Sequence, residues 1–158
     1  MYSYTDSELS ADVPSLIRTI SPPGFGTRFE DGVSGDRLPG SPENKFALQA
    51  SYTMEMAEGA ELVVSGDYAW QSDILSRTGA RGSSYTLPSF GVANIRATYQ
   101  KDDWSVTGYV NNVLDEFAET GVQSTPLISQ TVNGATVRSF VTNVLRPMTA
   151  GVRFNYRF

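Results

Sequence analysis

The residue types that carry most acid–base and metal chemistry are missing from this chain. Its 158 residues include no histidine and no cysteine. Histidine is the commonest general base and transition-metal ligand, and the cysteine thiolate is a frequent nucleophile and zinc ligand. The remaining candidates are carboxylates: Glu30, Asp31 and Asp36 share one glycine-rich stretch, and Asp102 and Asp103 are adjacent.

Neither group of carboxylates has the spacing of a catalytic or metal site. The stretch "EDGVSGD" lacks the ligand order of an EF-hand, and neighbouring aspartates in "KDD" are typical of a tight turn in which their side chains point apart. The glycine-rich "GTRFEDGVSG" and "TGARGSS" lack the spacing of a phosphate-binding loop. We therefore predict no catalytic residue, no metal ligand and no cofactor, and we do not expect an enzyme.

Composition excludes several further classes of protein. A net charge of −5 argues against a nucleic-acid partner, since such proteins carry a clustered basic face. The aromatic content of 11% argues against a disordered chain. No apolar run is long enough for a transmembrane helix, and "MYSYTDSELS" has neither the basic start nor the apolar core of a signal peptide. If the protein is exported, we expect its signal to lie upstream of Met1.

The end of the chain, "TAGVRFNYRF", alternates strictly between apolar and polar residues. Val152, Phe154, Tyr156 and Phe158 share one face, and Arg153 is among the residues on the other. A period of two indicates a β-strand with one apolar face.

The rest of the chain shows the same alternation between glycine- and proline-rich connections, so we predict an all-β fold. The predicted connections are alternately long and short, which is typical of an antiparallel up-and-down meander whose long loops lie at one end. The six predicted strands lie near residues 2–9, 45–55, 62–75, 90–100 and 104–114, and in a last segment that runs to residue 158.

Long loops at one end of the sheet, short turns at the other, and strands with one apolar and one polar face are together typical of transmembrane β-barrels. In these proteins short turns lie on one side of the membrane, long loops on the other, apolar side chains face lipid and polar ones the lumen. Arg96, Arg153 and Arg157 are then lumen residues, with Asp67 as a balancing carboxylate. A soluble β-sandwich has the same alternation, but it keeps its polar face in water.

Several segments resemble one family. They are "GDRLPGSPENKFALQASYT", "GDYAWQSDILSRT", "NIRATYQKDDWSVTGYVNNVLDEFAETG" and "NVLRPMTAGVRFNYRF" with its terminal phenylalanine. In this order and at these spacings, the whole chain resembles the C-terminal portion of a TonB-dependent outer-membrane receptor.

The resemblance implies a barrel of about 22 strands filled by an N-terminal plug, in the outer membrane of a Gram-negative bacterium. The family takes up siderophores, cobalamin, glycans or similar solutes, with energy from the TonB complex that acts through the plug. With only six readable strands, residues 1–158 are expected to be a C-terminal barrel segment without plug or signal peptide. Such a segment supplies barrel wall, outer loops and an assembly signal, and alone should not transport.

The resemblance also assigns expected roles to residues. The closing strand is the signal for the barrel-assembly machinery, which can pair with its free edge by β-augmentation; its apolar residues are Val152, Phe154, Tyr156 and Phe158. Because loops carry function more often than strands do, we name candidate ligand-facing residues in the first and third long loops. They are Phe25, Arg28, Phe29, Arg37, Phe117, Arg138 and Phe140.

Three alternatives stay open at this point. A soluble carbohydrate-binding β-sandwich fits the alternation, and it should remain monodisperse without detergent. A small complete outer-membrane barrel needs about eight strands, which requires a hairpin hidden in the first long loop. A secreted glycosidase is the weakest alternative, because no carboxylate pair has a suitable context.

Overall fold

The computed structural model describes residues 1–19, 28–82, 84–132 and 135–158, with side chains except at residues 124–132 and 135–139. Within these ranges the secondary structure is almost entirely β. In chain order the strands are β1 (Tyr2–Tyr4), β2 (Val13–Thr19), β3 (Arg28–Gly32), β4 (Asn44–Glu55), β5 (Glu61–Gln71), β6 (Ile74–Leu75), β7 (Thr86–Leu87), β8 (Phe90–Lys101), β9 (Trp104–Asn111), β10 (Glu119–Val132), β11 (Ala135–Val144) and β12 (Thr149–Tyr156). Among the described residues, no helix has the length and apolar character needed to cross a membrane.

One antiparallel sheet of six strands dominates the fold. Its order is β1-β4-β5-β8-β9-β12, so strands that follow one another in the sheet also follow one another along the chain. This arrangement confirms the predicted up-and-down meander. The described pairings leave one edge of β1 and one edge of β12 without a partner strand.

The register places apolar side chains in continuous rows across the sheet. Because every pair is antiparallel and in register, residues that face each other stay on one face from strand to strand. One row consists of Tyr52, Val64, Ala97, Gly108 and Val152. This apolar face is uncovered, as the exposures of 68% at Tyr52 and 76% at Val152 show.

The adjacent row lies on the opposite face and is mainly polar. It consists of Thr53, Val63, Thr98, Thr107 and Arg153. The hydroxyls of Thr98 and Thr107 are 2.9 Å apart and share a hydrogen bond across β8 and β9. A β-sandwich requires a second sheet packed against one face of the first. Among the described residues, no second sheet covers either face of the main sheet.

Two short turns close one end of the sheet. A 3-10 turn at Ala57–Gly59 links β4 to β5, and Asp102 and Asp103 link β8 to β9. Lys101 and Glu58 form an ion pair of 2.5 Å between these two turns.

Three long connections lie at the other end, which we call loop 1 (residues 5–43), loop 2 (residues 72–89) and loop 3 (residues 112–148). Each contains a hairpin that the sequence pattern did not predict: β2–β3, β6–β7 and β10–β11. The predicted strand at residues 62–75 is interrupted, because β5 ends at Gln71 and Ile74–Leu75 pair instead with β7. The hairpin of loop 1 is a separate two-stranded sheet. It therefore does not add the two strands that a small complete barrel requires.

The buried apolar side chains lie outside the main sheet. Among the described residues, the aliphatic ones other than proline that are below 9% exposure are Ile17, Ala60, Leu75, Leu87 and Ala118. Four of the five belong to the long loops. The loops therefore pack against one another, while the sheet presents its apolar face outward.

Candidate functional site

Arg37 connects loop 1 to loop 2. Its Nη1 donates to the Oδ2 of Asp73 at 2.9 Å, and its Nη2 donates to the backbone oxygen of Asp73 at 2.7 Å. Its Nε lies 3.0 Å from a carboxylate oxygen of Glu43. With 19% of its side chain exposed and its donors directed at these oxygens, the guanidinium fixes the position of loop 2.

Asp36 also connects loop 1 to loop 2, but here loop 1 supplies the carboxylate and loop 2 supplies the arginine. Its carboxylate accepts two hydrogen bonds from Arg81, from Nε at 2.8 Å and from Nη2 at 3.2 Å. The backbone N–H of Val33 also donates to it at 2.8 Å. The Val33 hydrogen bond, followed by the Arg81 hydrogen bond, lowers the pKa of Asp36 below its ordinary value of 3.8.

Gly79 makes room for this carboxylate. Its φ of +59° lies in the left-handed region, which glycine adopts without strain. A Cβ atom at this position would lie 2.5 Å from the Cγ of Asp36. The Gly79 N–H also donates to the backbone oxygen of Arg37 at 2.9 Å. Loop 2 therefore wraps around the Asp36–Arg37 dipeptide, and we call this arrangement the loop clamp.

Tyr85 connects loop 2 to loop 3. Its hydroxyl donates to the Oε2 of Glu119, and its ring lies 5.2 Å from the ring of Phe140, centroid to centroid. The hydrogen bond to Glu119 and partial burial raise the pKa of Tyr85 above its ordinary value of 10.0. This hydrogen bond and this aromatic contact hold loop 3 against loop 2.

A cavity of about 340 Å³ lies where the three loops meet. Loop 1 and loop 3 supply apolar walls, while residues 76–78 of loop 2 supply two hydroxyls and a guanidinium. The lining residues are Leu16, Ile17, Pro39, Ser76, Arg77, Thr78, Val122 and Phe140. The lining is a mixture of apolar and polar groups, and small-molecule sites also combine apolar walls with polar groups that orient the ligand.

The structure brings only part of the predicted ligand-facing set to this cavity. Phe140 lines it, and Arg37 belongs to the neighbouring loop clamp. Arg28 and Phe29 lie on β3, and Phe29 is half exposed. Phe117 lies at the base of loop 3 and is not among the lining residues. The ligand-facing roles remain predictions.

For two of the predicted ligand-facing residues, the side chain lies outside the described part of the chain. Phe25 lies outside the described residues. Arg138 pairs with Ser129 in the β10–β11 hairpin, but its side chain lies outside the described part of the chain.

Sequence reasoning missed most of the cavity. Leu16, Ile17 and Val122 lie within strands of loop hairpins that the pattern did not predict. Ser76 and Thr78 are small polar residues in a connection, and their types carry no distinguishing signal. Only the packing of three segments far apart in sequence brings these side chains together.

Strand β12 lies at one edge of the main sheet in the described part of the chain. Phe154 and Tyr156 are more than half exposed, and Phe158 is fully exposed. The Phe154 ring stacks at 6.4 Å on Trp104 of β9, and the Tyr156 ring contacts Phe158 at 5.1 Å. Together with Val152, these residues form an apolar row on a strand that has one partner strand within the described part of the chain. Their role as an assembly signal remains a prediction.

The polar face carries a second concave region, of about 290 Å³, on β5, β8, β9 and β12. Asp67 accepts a hydrogen bond from Asn94 at 2.7 Å and lies 3.7 Å from Arg96. Arg153 also lines this region. The Arg96–Asp67 pair agrees with the predicted balance of lumen charges.

No group of three histidine, cysteine, aspartate or glutamate side chains able to hold a metal ion occurs within the described ranges.

Comparisons with known proteins identify the family. A family model described as TonB dependent receptor-like, beta-barrel matches residues 2–113, which is more than half of the chain and includes β1 to β9. No curated protein and no solved structure matches. The matched family consists of receptors and transporters rather than enzymes. The chain therefore belongs to the TonB-dependent receptor family and represents part of its β-barrel.

Proposed function

We propose that residues 1–158 are the C-terminal segment of the barrel domain of a TonB-dependent receptor in the outer membrane of a Gram-negative bacterium. The observation that carries this proposal is the two-faced sheet. Each face keeps its character from strand to strand, and the apolar face is exposed. Lipid is the environment that such a face requires, because apolar surface in water is unfavourable.

The receptor takes up a siderophore, glycan or similar solute with energy supplied through the TonB complex. In this proposal the complex acts through a plug domain outside residues 1–158. The segment itself contributes barrel wall, three outer loops and the closing strand, and on its own it does not transport.

The cavity between the three loops is the proposed solute contact. Its volume of about 340 Å³ suits one part of such a solute. The apolar walls favour rings or methylene groups, and the hydroxyls of Ser76 and Thr78 favour polar substituents. The loop clamp holds two of the three walls in a fixed arrangement, which lowers the entropy cost of binding.

A binding experiment tests this proposal. Outer membranes that contain the receptor are incubated with ferric catecholate siderophores, ferric hydroxamate siderophores and linear oligosaccharides, and the retained solute is measured. We expect saturable binding of one class. Thr78→Trp fills the cavity and should weaken binding at least about tenfold, which corresponds to about 1.4 kcal/mol.

The matched control is Ser34→Trp, which adds the same ring at an exposed turn of loop 1. It should bind the solute as the unmodified receptor does. If no class binds, the receptor function is wrong for these solutes. If Thr78→Trp binds as tightly as the control, the cavity is not the contact.

The assembly role of β12 has a separate test. We expect Phe158→Ala and Tyr156→Ala to reduce the folded receptor in outer membranes, while refolding of the purified protein into detergent is unchanged. Arg153→Gln, on the other face of the same strand, is the control. Equal losses in cells and in detergent would show a stability effect and not a signal.

A further inference from the structure

The polar side of the cavity between the three loops is rich in hydrogen-bond donors. Loop 2 supplies it, with the hydroxyls of Ser76 and Thr78 and the guanidinium of Arg77. A guanidinium has donors and a positive charge but no acceptor, whereas a hydroxyl has one donor and can also accept. The polar wall therefore offers more donors than acceptors. The other lining residues are apolar: Leu16, Ile17, Pro39, Val122 and Phe140.

Tyr85 occupies an acceptor position of the Ser76 hydroxyl. The backbone N–H of Tyr85 donates to the Oγ of Ser76 at 2.6 Å, and the Ser76 N–H donates to the backbone oxygen of Tyr85 at 3.0 Å. In the described part of the chain, the hydroxyl hydrogen of Ser76 has the Oγ of Ser84 within reach only at 3.5 Å. This distance exceeds the usual O–H···O distance of about 2.7–2.8 Å. The hydrogen can therefore turn to a ligand in the cavity.

The guanidinium of Arg77 contacts loop 1. Its Nη1 donates to the backbone oxygen of Arg18 at 2.8 Å, and Arg18 directly follows Ile17, which lines the cavity. This hydrogen bond orients the guanidinium and leaves its charge in place. Beside apolar walls the field of a charge is stronger than in water, because the effective dielectric constant is lower. The cavity thus combines an oriented cation with apolar surface.

No carboxylate lines this cavity within the described part of the chain. Residues 20–27, 83 and 124–139, whose side chains are not described, include no aspartate or glutamate. Two carboxylates of the loops are engaged elsewhere, since Asp36 accepts from Arg81 and Asp73 accepts from Arg37. A ligand group that brings hydrogen-bond donors would therefore find few acceptors in the cavity, and a donor that is buried without a partner is costly.

We propose that the cavity binds an acidic solute, in which an anionic oxygen group such as a carboxylate is attached to an apolar ring or chain. The anionic group only accepts hydrogen bonds, so it matches the donors of Ser76, Arg77 and Thr78, and charge-assisted hydrogen bonds are the stronger ones. The apolar part lies against the walls of loop 1 and loop 3. A neutral sugar matches this lining poorly, because each of its hydroxyls brings a donor that needs an acceptor. The inference rests on the proposed function of the cavity and narrows its class of solute.

Two fluorinated probes of similar shape and different charge test this inference. The receptor in detergent is titrated with 4-fluorobenzoate, which is an anion at pH 7, and with 4-fluorobenzamide, which is neutral and carries an amide donor. Binding is followed by fluorine NMR. We expect the benzoate to bind at least about tenfold more tightly, a ratio that one hydrogen bond to a charged group can supply. Maltose as a competitor should not displace the benzoate.

Substitutions in the polar wall locate the binding of the anion. Arg77→Gln removes the charge and should bring the affinities for the two probes together, whereas Arg77→Lys should restore part of the preference for the benzoate. Thr78→Val removes one hydroxyl and should weaken benzoate binding more than benzamide binding; it carries the test if Arg77→Gln misfolds. Arg146→Gln is the matched control, because Arg146 is exposed and is not among the lining residues. Folding of each variant is checked by its migration on an unheated gel.

The outcomes separate this inference from the proposed function. If the benzamide or maltose binds as tightly as the benzoate and Thr78→Trp blocks this binding, the acidic solute is wrong and the cavity remains the solute contact. Absence of benzoate binding, or a preference for the benzoate that persists in both Arg77→Gln and Thr78→Val, would also overturn the inference. Probe binding that Thr78→Trp leaves unchanged would overturn the cavity as the solute contact and the inference together.

Discussion

The ring of Tyr109 lies over Gly151 on the neighbouring strand. A Cβ atom at Gly151 would lie 2.5 Å from the Tyr109 hydroxyl oxygen and 2.6 Å from its Cζ. The two residues face each other across β9 and β12. An aromatic ring over a glycine is a known way to fill the space that glycine leaves in a sheet and to fix the register.

Gly151→Ala should therefore destabilise the sheet at the closing strand. The added methyl group must displace the Tyr109 ring, and overpacking of this kind costs about 1–3 kcal/mol. The urea midpoint of the receptor in detergent measures the effect. Gly108→Ala is the matched control on β9, because a Cβ atom there meets nothing within 4 Å. Equal midpoints for the two variants would contradict the packing argument.

The two faces of the sheet should respond differently to arginine. Ile95→Arg and Val64→Arg place a charge on the apolar face, and this should cost about 2–4 kcal/mol near the membrane midplane. Thr98→Arg and Ser65→Arg place the same charge on the polar face and should cost much less. Unfolding in lipid vesicles measures the difference. Equal tolerance on both faces would contradict the membrane assignment.

The loop clamp should weaken at acidic pH. The pKa of Asp36 is lowered below 3.8, so its ionised form contributes stability that is present above pH 3.8 and is lost as the pH falls through the lowered value. Hydrogen exchange at the Gly79 amide, measured from pH 5 downward after correction for intrinsic exchange, should show this loss. Asp36→Asn should lower the protection of the Gly79 amide at every pH and remove the pH dependence of that protection. Unchanged protection in Asp36→Asn would show that the clamp does not hold loop 2.

Substitution of Asn112 by alanine should destabilise the protein far more than the same substitution at its neighbour Asn111. The Asn112 side chain is 3% exposed. Its Oδ1 accepts from the Glu116 N–H at 2.9 Å, and its φ is +50°, a conformation that asparagine tolerates well. Asn112→Ala removes three part-buried hydrogen bonds to the backbone of Glu116 and Arg146, at a cost of about 1–3 kcal/mol. Asn111→Ala, at an exposed position, should cost little. Similar unfolding midpoints would rule out this role for Asn112.

Asn112 also gives a structural reason for the "NNVLDEFAETG" segment, one of those that resemble the family. Its amide joins the end of β9 to Arg146, three residues before β12, and its backbone N–H donates to the Oδ1 of Asn94 on β8 at 3.0 Å. Three segments of the chain are therefore fixed at one point at the base of loop 3. The pattern of residues predicted a strand as far as residue 114, whereas β9 ends at Asn111. The hydrogen bonds that end it involve segments far apart in the chain.

The amino-acid sequence by itself determined the main sheet. A period of two in residues 45–55 or 149–156 assigns each side chain to a face, and short turns between strands specify antiparallel pairing, so local chemistry is sufficient. The lack of histidine and cysteine likewise follows from the sequence alone. The family followed from short segments such as "NVLDEFAETG", and the family match confirmed it.

Only the tertiary structure decided how the loops are arranged. Arg37 looked like a ligand-facing cation, but its partner Asp73 lies in another loop, and no local pattern relates the two. The hairpins inside the loops went unpredicted because their short or irregular strands lack a continuous alternation. Ion pairs and cavities between distant segments form when the sheet brings the loop ends together, and this geometry is a property of the folded chain.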